Sequence, residues 1–198
     1  MNRNDFPILE SGIIYLDNGA TTLKPRCVID SIVDYYSNYS ANAHRGDYDI
    51  SLKVDMTYEG VRDKVKNFIN ASRTEEIVFT SGTTESLNMV VFGFMAKVLK
   101  SGDEVLISKS EHASNVLPWL ILKERIGIVV KFIELDNDYC LTIESLNKSI
   151  TDKTKVISLA HITNVIGDVR DIETIGNICL EKNILFVVDG AQSIGHKK

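Results

Sequence analysis

The stretch ILFVVDGAQ, residues 184–192, decides the fold class, because an uninterrupted apolar run ends there in a single acidic residue and a turn of small residues. The run KVISLA, residues 155–160, has the same apolar character. Continuous apolar strands, in place of alternating ones, are typical of a parallel sheet that is covered on both faces. We therefore expect these segments to be buried strands of an α/β domain.

Outward from this stretch, strand-like and helix-like segments alternate along the chain. The predicted strands cover residues 13–16, 76–80, 104–108, 128–135, 155–162 and 184–189, and the predicted helices cover residues 25–39, 51–69, 84–99, 114–125, 142–150 and 172–182. Helices of this size between strands imply right-handed crossovers and a largely parallel sheet. The expected fold class is α/β, with three α/β/α layers and a mostly parallel sheet.

Composition excludes several classes of function. The apolar content of 44% and the charged content of 25% are those of an ordinary globular protein. The net charge of -5 leaves no basic excess to neutralise phosphates, so we expect no nucleic-acid partner. No apolar run approaches the length of a membrane span, so we expect no membrane partner. The three cysteines, Cys27, Cys140 and Cys179, have neither disulfide nor zinc spacing, so we expect no metal and a reducing cytoplasm.

The segment SGTT, residues 81–84, lies between a predicted strand and a predicted helix. The first N–H groups of a helix lack internal partners, and its dipole favours an anion there. The alternative is an ordinary helix cap, with Ser81 or Thr83 capping and Glu85 in the first turn. The GxxxxGK[ST] and GxGxxG patterns are absent, which argues against a nucleotide. A smaller phosphate-bearing ligand therefore fits this segment better.

Asp189 closes the stretch that opened this section. A carboxylate at the end of a buried strand needs a partner, because burying it alone is costly. The alternatives are an ion pair with a protonated ring nitrogen and an ordinary cap of the next helix. A phosphate site and a partner for a basic ring nitrogen, taken together, indicate pyridoxal phosphate.

Two further polar residues follow predicted strands. His112 could stack on a flat cofactor and exchange protons near neutral pH, or it could cap the next helix. Asn164 could donate to a phenolate oxygen, or it could be a turn residue before Gly167. The carboxyl ends of parallel strands meet at one edge of a sheet, so we expect these residues to lie together. His44 and Arg45, in a polar loop, are an ordinary solvated pair on composition alone.

At these residues the chain resembles the class V aminotransferase-like enzymes of fold type I, and among them the cysteine desulfurases of the sulfur-mobilisation type. The matching segments are YLDNGATT at 15–22, NAHRG at 42–46, FTSGTTE at 79–85, EHASN at 111–115, ITNVIG at 162–167 and DGAQ at 189–192. They occur in the order of the family and extend along the whole chain.

The resemblance implies a pyridoxal 5'-phosphate cofactor and six residues that bind it: Thr83, Thr84, His112, Asn164, Asp189 and Gln192. Thr83 and Thr84 would hold the phosphate. Asp189 would pair with the ring nitrogen, and Gln192 would donate to the ring oxygen. His112 would stack on the ring and act as the catalytic residue in proton transfer.

The resemblance also implies a substrate pocket for L-cysteine or a similar amino acid. Gly19 and Ala20 would line this pocket, and Asn164 would face both the substrate and the ring hydroxyl. His44 and Arg45 would lie near the active site at the interface of a homodimer. Residues 1–24 would form an N-terminal arm, and residues 25–198 would form part of the large cofactor-binding domain.

Several family features have no counterpart in this sequence. They are the lysine that binds the cofactor covalently, the cysteine that accepts sulfur, the arginine that holds the substrate carboxylate, and a small C-terminal domain. Lys197 follows Gln192 too closely to be that lysine. The expectation is therefore the N-terminal half of a family member, a fragment that is inactive alone.

The implied activity converts L-cysteine to L-alanine and passes sulfur to an enzyme cysteine, for iron–sulfur cluster assembly or other sulfur delivery to an acceptor protein. Two alternatives stay open at this point. One is another class V enzyme, such as a selenocysteine lyase or an aminotransferase. The other is a non-catalytic partner subunit.

Overall fold

The computed structural model describes residues 2–196. The chain divides into two compact units, one that ends at Val78 and one that begins at Phe79. The predicted boundary between an arm and a domain at residues 24 and 25 stays a prediction.

The first unit is helical. Short 3-10 turns at Arg3–Asp5 and Pro7–Ser11 precede helix α1, Arg26–Asp34, which runs into a π-helical turn at Tyr35–Tyr39. Helix α2 spans Asp49–Phe68, and a 3-10 turn follows at Thr74–Glu76. These elements confirm the helices predicted at 25–39 and 51–69.

The strands predicted at 13–16 and 76–80 are wrong. Within residues 2–196, neither segment pairs in a sheet. Ile14 and Leu16 are 82% and 90% exposed, so the apolar residues that suggested a strand have no face to cover. In the second segment the carbonyl oxygen of Ile77 accepts a hydrogen bond from the Arg62 guanidinium. This oxygen would pair with a neighbouring strand if the segment belonged to a sheet.

The second unit contains a four-stranded parallel sheet. Its strands are β1 (Glu104–Ser108), β2 (Val129–Ile133), β3 (Thr154–Ala160) and β4 (Leu185–Asp189), and their order in the sheet is β2-β1-β3-β4. All three neighbouring pairs are parallel. The structure thus confirms the α/β class and the parallel sheet that the apolar runs predicted.

The helices of this unit connect and cover the strands. They are α3 (Thr83–Asn88), which continues through a π-helical segment at Met89–Met95 into α4 (Ala96–Val98), and α5 (Ala113–Ile126), α6 (Ile143–Ser149) and α7 (Ile172–Glu181). They confirm the four helices predicted after residue 83. In the described part of the chain, no helix is long and apolar enough to cross a membrane.

Alternating residues of the strands build a core on each face of the sheet. Val105 and Ile107 of β1 belong to one apolar cluster, together with Trp119 of α5. Leu106, between them, belongs to a second cluster with Ile175 of α7. Because both faces are covered by helices, the second unit has the three α/β/α layers that the sequence predicted.

The order of the strands fixes where a ligand site can form. The chain passes from β1 to β2 on one side of the sheet, and then to β3 on the other side of β1. The loops after β1 and β3 therefore leave in different directions, and a crevice opens outside their carboxyl ends. The register between the two strands ends at the pair Leu106 and Ile157.

Glu104, the first residue of β1, forms hydrogen bonds and an ion pair at the amino end of the strand. This residue is 6% exposed, and its carboxylate accepts from Thr151 Oγ1 at 2.6 Å and lies 2.6 Å from Lys131 Nζ. Burial acts to raise the pKa of Glu104, but Lys131 and the threonine hydroxyls outweigh burial, so the pKa lies below the ordinary value of 4.5. The folded state therefore favours the charged carboxylate.

We expect Glu104→Gln to reduce the pH dependence of stability in acid. A carboxyl whose pKa is lower in the folded state stabilises the protein above the unfolded pKa, and this stabilisation is lost as the pH falls through the folded pKa. The free energy of unfolding of the wild type should therefore fall more steeply below pH 4.5 than that of the variant. Urea unfolding at a series of pH values measures both curves, and parallel curves would contradict the assignment.

Candidate functional site

A cavity of about 280 Å³ lies at the carboxyl edge of the sheet in the second unit. Its walls come from the start of α3 and from the loops after β1, β3 and β4. The cavity is lined by all six residues that the sequence predicted to bind the cofactor: Thr83, Thr84, His112, Asn164, Asp189 and Gln192. The rule that sites lie at the carboxyl ends of parallel strands accounts for three of them, because His112 follows β1, Asn164 follows β3 and Asp189 ends β4. Thr83 and Thr84 reach the same cavity from the start of α3.

The start of α3 offers a cradle for an anion. Gly82 precedes the helix with φ 158° and ψ 174°, a conformation that is essentially restricted to glycine. A Cβ on Gly82 would meet nothing within 4 Å, so the backbone there is open to a ligand. The first N–H groups of the helix and the hydroxyls of Thr83 and Thr84 can donate to that ligand.

The ordinary helix cap that was the alternative for this segment is not formed, because Gly82 is the N-cap residue and no side chain caps there. Glu85 reaches back instead, and its Oε2 accepts from the N–H and the hydroxyl of Ser81, both at 2.7 Å. These hydrogen bonds hold the pKa of Glu85 below its ordinary value. Ser81 is thus held in place by Glu85 and lines the cavity.

Asp189 supplies a buried carboxylate to the same cavity. It is the last residue of β4 and only 5% exposed, and its Oδ1 accepts from the N–H of Ala191 at 2.9 Å. A carboxylate that is this buried is suited to pairing with a cation, because the cost of desolvating it is otherwise large. Gln192 follows in the turn that the Ser193 N–H closes onto the carbonyl of Gly190 at 3.0 Å.

His112 caps helix α5 and lines the cavity at once. Its Nδ1 accepts from the backbone N–H of Ser114 at 3.1 Å. Because Nδ1 is an acceptor in this hydrogen bond, the neutral imidazole carries its proton on Nε2. The structure therefore shows the helix-capping role of His112 and places the residue in the wall of the cavity, and its role against a cofactor stays a prediction.

Ser114, which was not among the predicted site residues, connects His112 to the anion cradle. Its Oγ lies 3.0 Å from His112 Nδ1 and 2.7 Å from Thr84 Oγ1. The available signal was a hydroxyl in the first turn of a helix, two residues after a candidate histidine.

Asn164 lies in the turn that follows β3, and it is exposed. The turn is closed by the Gly167 N–H, which donates to the carbonyl of Thr163 at 3.1 Å, and Gly167 has a φ of 79°. A second cavity of about 700 Å³ is lined by Tyr139 and Val165, among others, and it shares Asn164 and His112 with the first. Asn164 and His112 therefore line both cavities.

A buried ion pair between Glu111 and Arg170 was also missed. Both side chains are fully buried, and the Arg170 guanidinium donates to the Glu111 carboxylate. Glu111 directly precedes His112, and Arg170 lies three residues after Gly167, the last residue of the segment that carries Asn164. The ion pair therefore joins the two loops that bring these residues to the cavity.

The remaining predicted residues belong to the first unit. Ala20 follows Gly19 in an exposed turn, and its N–H donates to the carbonyl of Asp17 at 3.2 Å. His44 and Arg45 precede α2, and the backbone N–H of His44 donates to the Asp55 carboxylate. Their place in a substrate pocket stays a prediction.

The cysteines are free thiols in different surroundings. Cys27 is exposed, Cys140 is half-buried and Cys179 is buried. Burial, followed by Asp168 and Asp136, raises the pKa of Cys140, and burial alone raises the pKa of Cys179 to about 11. No cysteine of the described residues lines the small cavity. Lys197, the other residue considered for covalent chemistry, lies outside the described residues.

We expect the three thiols to be alkylated in the order Cys27, Cys140, Cys179. The thiolate is the reacting form, so a raised pKa and burial both slow the reaction. Mass spectrometry of peptides after timed exposure to iodoacetamide measures the order, and the same reaction in concentrated urea provides the control in which the rates converge. Labelling of Cys179 as fast as Cys27 in the folded chain would contradict the described core.

Comparisons with known proteins agree with this geometry. A probable cysteine desulfurase from Borreliella burgdorferi is 42% identical over 202 residues, which cover 99% of this chain and 48% of the relative. The apo structure of the cysteine desulfurase from Thermococcus onnurineus NA1 is similar with a TM-score of 0.92 and 39% identity, over 98% of this chain and 48% of that one. A third similar structure, SspA in complex with cysteine, has a TM-score of 0.82 and 28% identity, over 91% of this chain and 51% of its own.

The matches cover nearly all of this chain but only part of each relative. The chain spans about half the length of the curated relatives it matches. The family model described as aminotransferase class-V matches residues 14–198, which is nearly the whole chain. By that match, the chain belongs to the aminotransferase class-V family.

Proposed function

We propose that the 280 Å³ cavity binds pyridoxal 5'-phosphate. The observation that carries the proposal is that a helix start rich in hydroxyls and a buried carboxylate line one small cavity. The first suits a phosphate, and the second suits a protonated ring nitrogen. The chain belongs to the aminotransferase class-V family, and its resemblance to that family supports the same cofactor.

When bound, pyridoxal phosphate supplies a cationic ring that withdraws electrons from the carbon next to the substrate amine. Asp189 would hold the proton on the ring nitrogen, because its buried carboxylate stabilises a neighbouring cation. Thr83, Thr84 and the N–H groups of α3 would hold the phosphate. Gln192 would donate to the ring oxygen.

His112 and Asn164 would act on the side of the larger space. His112 would lie against the flat ring and exchange a proton at Nε2, the nitrogen that the Ser114 contact leaves protonated. Asn164 lines both cavities and would contact the ring hydroxyl and the substrate. The 700 Å³ space beyond them would admit the amino acid.

We infer that the activity served by this site is that of a cysteine desulfurase. Such an enzyme converts L-cysteine to L-alanine and transfers the sulfur to a thiol, which becomes a persulfide. Two findings support this inference: relatives and a solved structure that the chain matches at 38–42% identity are named cysteine desulfurases or probable cysteine desulfurases, and the similar SspA was solved in complex with cysteine. An amino acid is thus the substrate class that the comparisons favour.

The organisation around the site is proposed on the same grounds. Residues 25–198 belong to the large cofactor-binding domain and residues 1–24 to an arm. Gly19, Ala20, His44 and Arg45 serve the substrate pocket, the last two at a homodimer interface. An acceptor protein receives the sulfur in iron–sulfur cluster assembly or another delivery route, in the reducing cytoplasm that the free thiols favour.

Equilibrium dialysis of the chain with pyridoxal phosphate, and in parallel with pyridoxal, tests the cofactor assignment. The double variant Thr83→Val/Thr84→Val should bind pyridoxal phosphate at least about tenfold more weakly, because hydrogen bonds to a charged phosphate are lost. Its affinity for pyridoxal, which lacks the phosphate, should not change.

The matched control is Thr174→Val, because Thr174 also lies in the first turn of a helix, α7, but away from the cavity. This control should bind both compounds like the wild type. If the double variant bound pyridoxal phosphate as tightly as the wild type does, the phosphate site would be contradicted.

A further inference from the structure

The guanidinium of Arg170 is completely enclosed by acceptors. Its side chain has no exposed surface, and each of its five N–H groups has an acceptor. The distances are 3.4 Å from Nε to Asp168, 3.1 Å from Nη1 to the carbonyl of Ala160, and 2.7 and 2.8 Å from Nη2 to the hydroxyls of Ser108 and Ser110, with Glu111 as the fifth acceptor. A planar fork that is satisfied in this way has one orientation only.

The carboxylate of Glu111 is held as firmly. Its Oε1 accepts from Arg170 and from the Ser108 hydroxyl at 2.8 Å. Its Oε2 accepts from the Asn115 side-chain amide and from the backbone N–H of Ala160, both at 2.8 Å. The carboxylate therefore ties the end of β1 to the first turn of α5 and to the end of β3.

The hydrogen-bond network of Arg170 and Glu111 begins where backbone pairing between β1 and β3 ends. The register between β1 and β3 ends at Leu106 and Ile157, and beyond that pair the two strands lead into separate loops. The Glu111 contact to the Ala160 N–H joins the strands again beyond that point. Side chains thus replace backbone pairing where the crevice opens.

Each end of the network reaches a residue of the cavity wall. Glu111 precedes His112, whose ring is fixed by its capping contact in the first turn of α5. Asp168, the acceptor of Arg170 Nε, donates its N–H to Thr163 Oγ1 at 3.0 Å and accepts the Thr163 N–H at 3.1 Å. These two hydrogen bonds close the turn that carries Asn164.

We propose that Arg170 is a positioning residue that sets His112 and Asn164 relative to each other, through Glu111 on one loop and Asp168 on the other. The inference rests on the proposed function, because it gives His112 and Asn164 a common ligand. A buried ion pair is not favoured for stability alone, since desolvation offsets much of its attraction. This pair instead fixes the relative orientation of the two loops, because the guanidinium holds five acceptors in one geometry.

Histidine nitrogen NMR of the chain without cofactor tests the positioning directly. The chain has four histidines, so the His112 signals can be assigned by their loss in His112→Gln. We expect Arg170→Lys to broaden or shift the His112 ring signals and the Asn164 side-chain amide, because a lysine has fewer donors than the five acceptors require.

Two further variants complete the experiment. The double variant Glu111→Gln/Arg170→Met removes both charges together and should move the same signals. The matched control is Glu104→Gln, which removes a buried carboxylate at the opposite end of the same strand, β1, and should leave the His112 and Asn164 signals in place. Arg170→Lys keeps the charge opposite Glu111, so it decides the question if the double variant does not fold.

Dialysis of the same proteins with pyridoxal phosphate separates this inference from the proposed function. We expect roughly tenfold weaker binding by Arg170→Lys, by analogy with residues that orient the ligands of a metal site. If the wild type binds the cofactor and Arg170→Lys matches it in both signals and affinity, the positioning role is overturned. If the wild type does not bind and the signals still move, the proposed function fails and the positioning role holds.

Discussion

Asp189→Asn is expected to lower the pKa of the ring nitrogen of bound pyridoxal phosphate and to weaken its binding. The carboxylate is only 5% exposed, so water screens its interaction with a cation poorly. Asparagine keeps the shape and can still accept from the Ala191 N–H, but it cannot stabilise the protonated ring. A change of one pKa unit corresponds to about 1.4 kcal/mol, and the loss of a buried ion pair should reach at least this size.

The absorbance of the bound cofactor as a function of pH measures this change. The matched control is Asp171→Asn, because Asp171 is also a carboxylate that accepts a backbone N–H, at the start of α7. The control should leave the cofactor titration unchanged. Identical titrations of the wild type and Asp189→Asn would mean that Asp189 only holds the turn at Ala191.

Arg170→Met is expected to destabilise the folded chain by about 3–5 kcal/mol, because it leaves the charge of Glu111 buried without its partner. Both side chains have no exposed surface, so solvent cannot compensate for the loss. The double variant Glu111→Gln/Arg170→Met should recover most of that stability, since neither charge is then buried. Urea unfolding of the wild type and the two variants gives the three free energies.

An exposed ion pair provides the control for this series. Arg73 lies 3.3 Å from Glu76, and the two side chains are 73% and 40% exposed. Arg73→Met should change the free energy of unfolding by less than about 1 kcal/mol, as is usual for surface pairs. An equal loss of stability in Arg170→Met and in the double variant would contradict the assignment of the cost to an uncompensated charge.

The fold was predictable where apolar residues are continuous in the sequence. The expectation that the strand before Asp189 is buried was wrong in part, because Leu185 and Val188 of β4 are 41% and 40% exposed. The strand predicted at 104–108 matches β1, in which every residue is buried, and the runs before Ala160 and Asp189 are strands as expected. The short apolar segments at 13–16 and 76–80 have the composition of strands but no neighbouring strand to pair with. Pairing depends on tertiary contacts that composition does not record.

The site was predictable from two rules. Asp189 follows a parallel strand, as sites at the carboxyl edge of a sheet require, whereas Thr83 and Thr84 begin a helix, as anion sites at helix starts require, although the strand predicted before them did not form. The link between Glu111 and Arg170 could not be predicted in this way. The two residues are 59 positions apart, and no local pattern relates a glutamate before a helix to an arginine after a turn.

A crystal structure of the chain with pyridoxal phosphate would locate the cofactor directly. We expect electron density for it in the 280 Å³ cavity, with its phosphate bound at the start of α3 by Thr84 and its ring nitrogen beside the Asp189 carboxylate. Cofactor density outside this cavity, or a phosphate bound away from the start of α3, would contradict the proposed cofactor site.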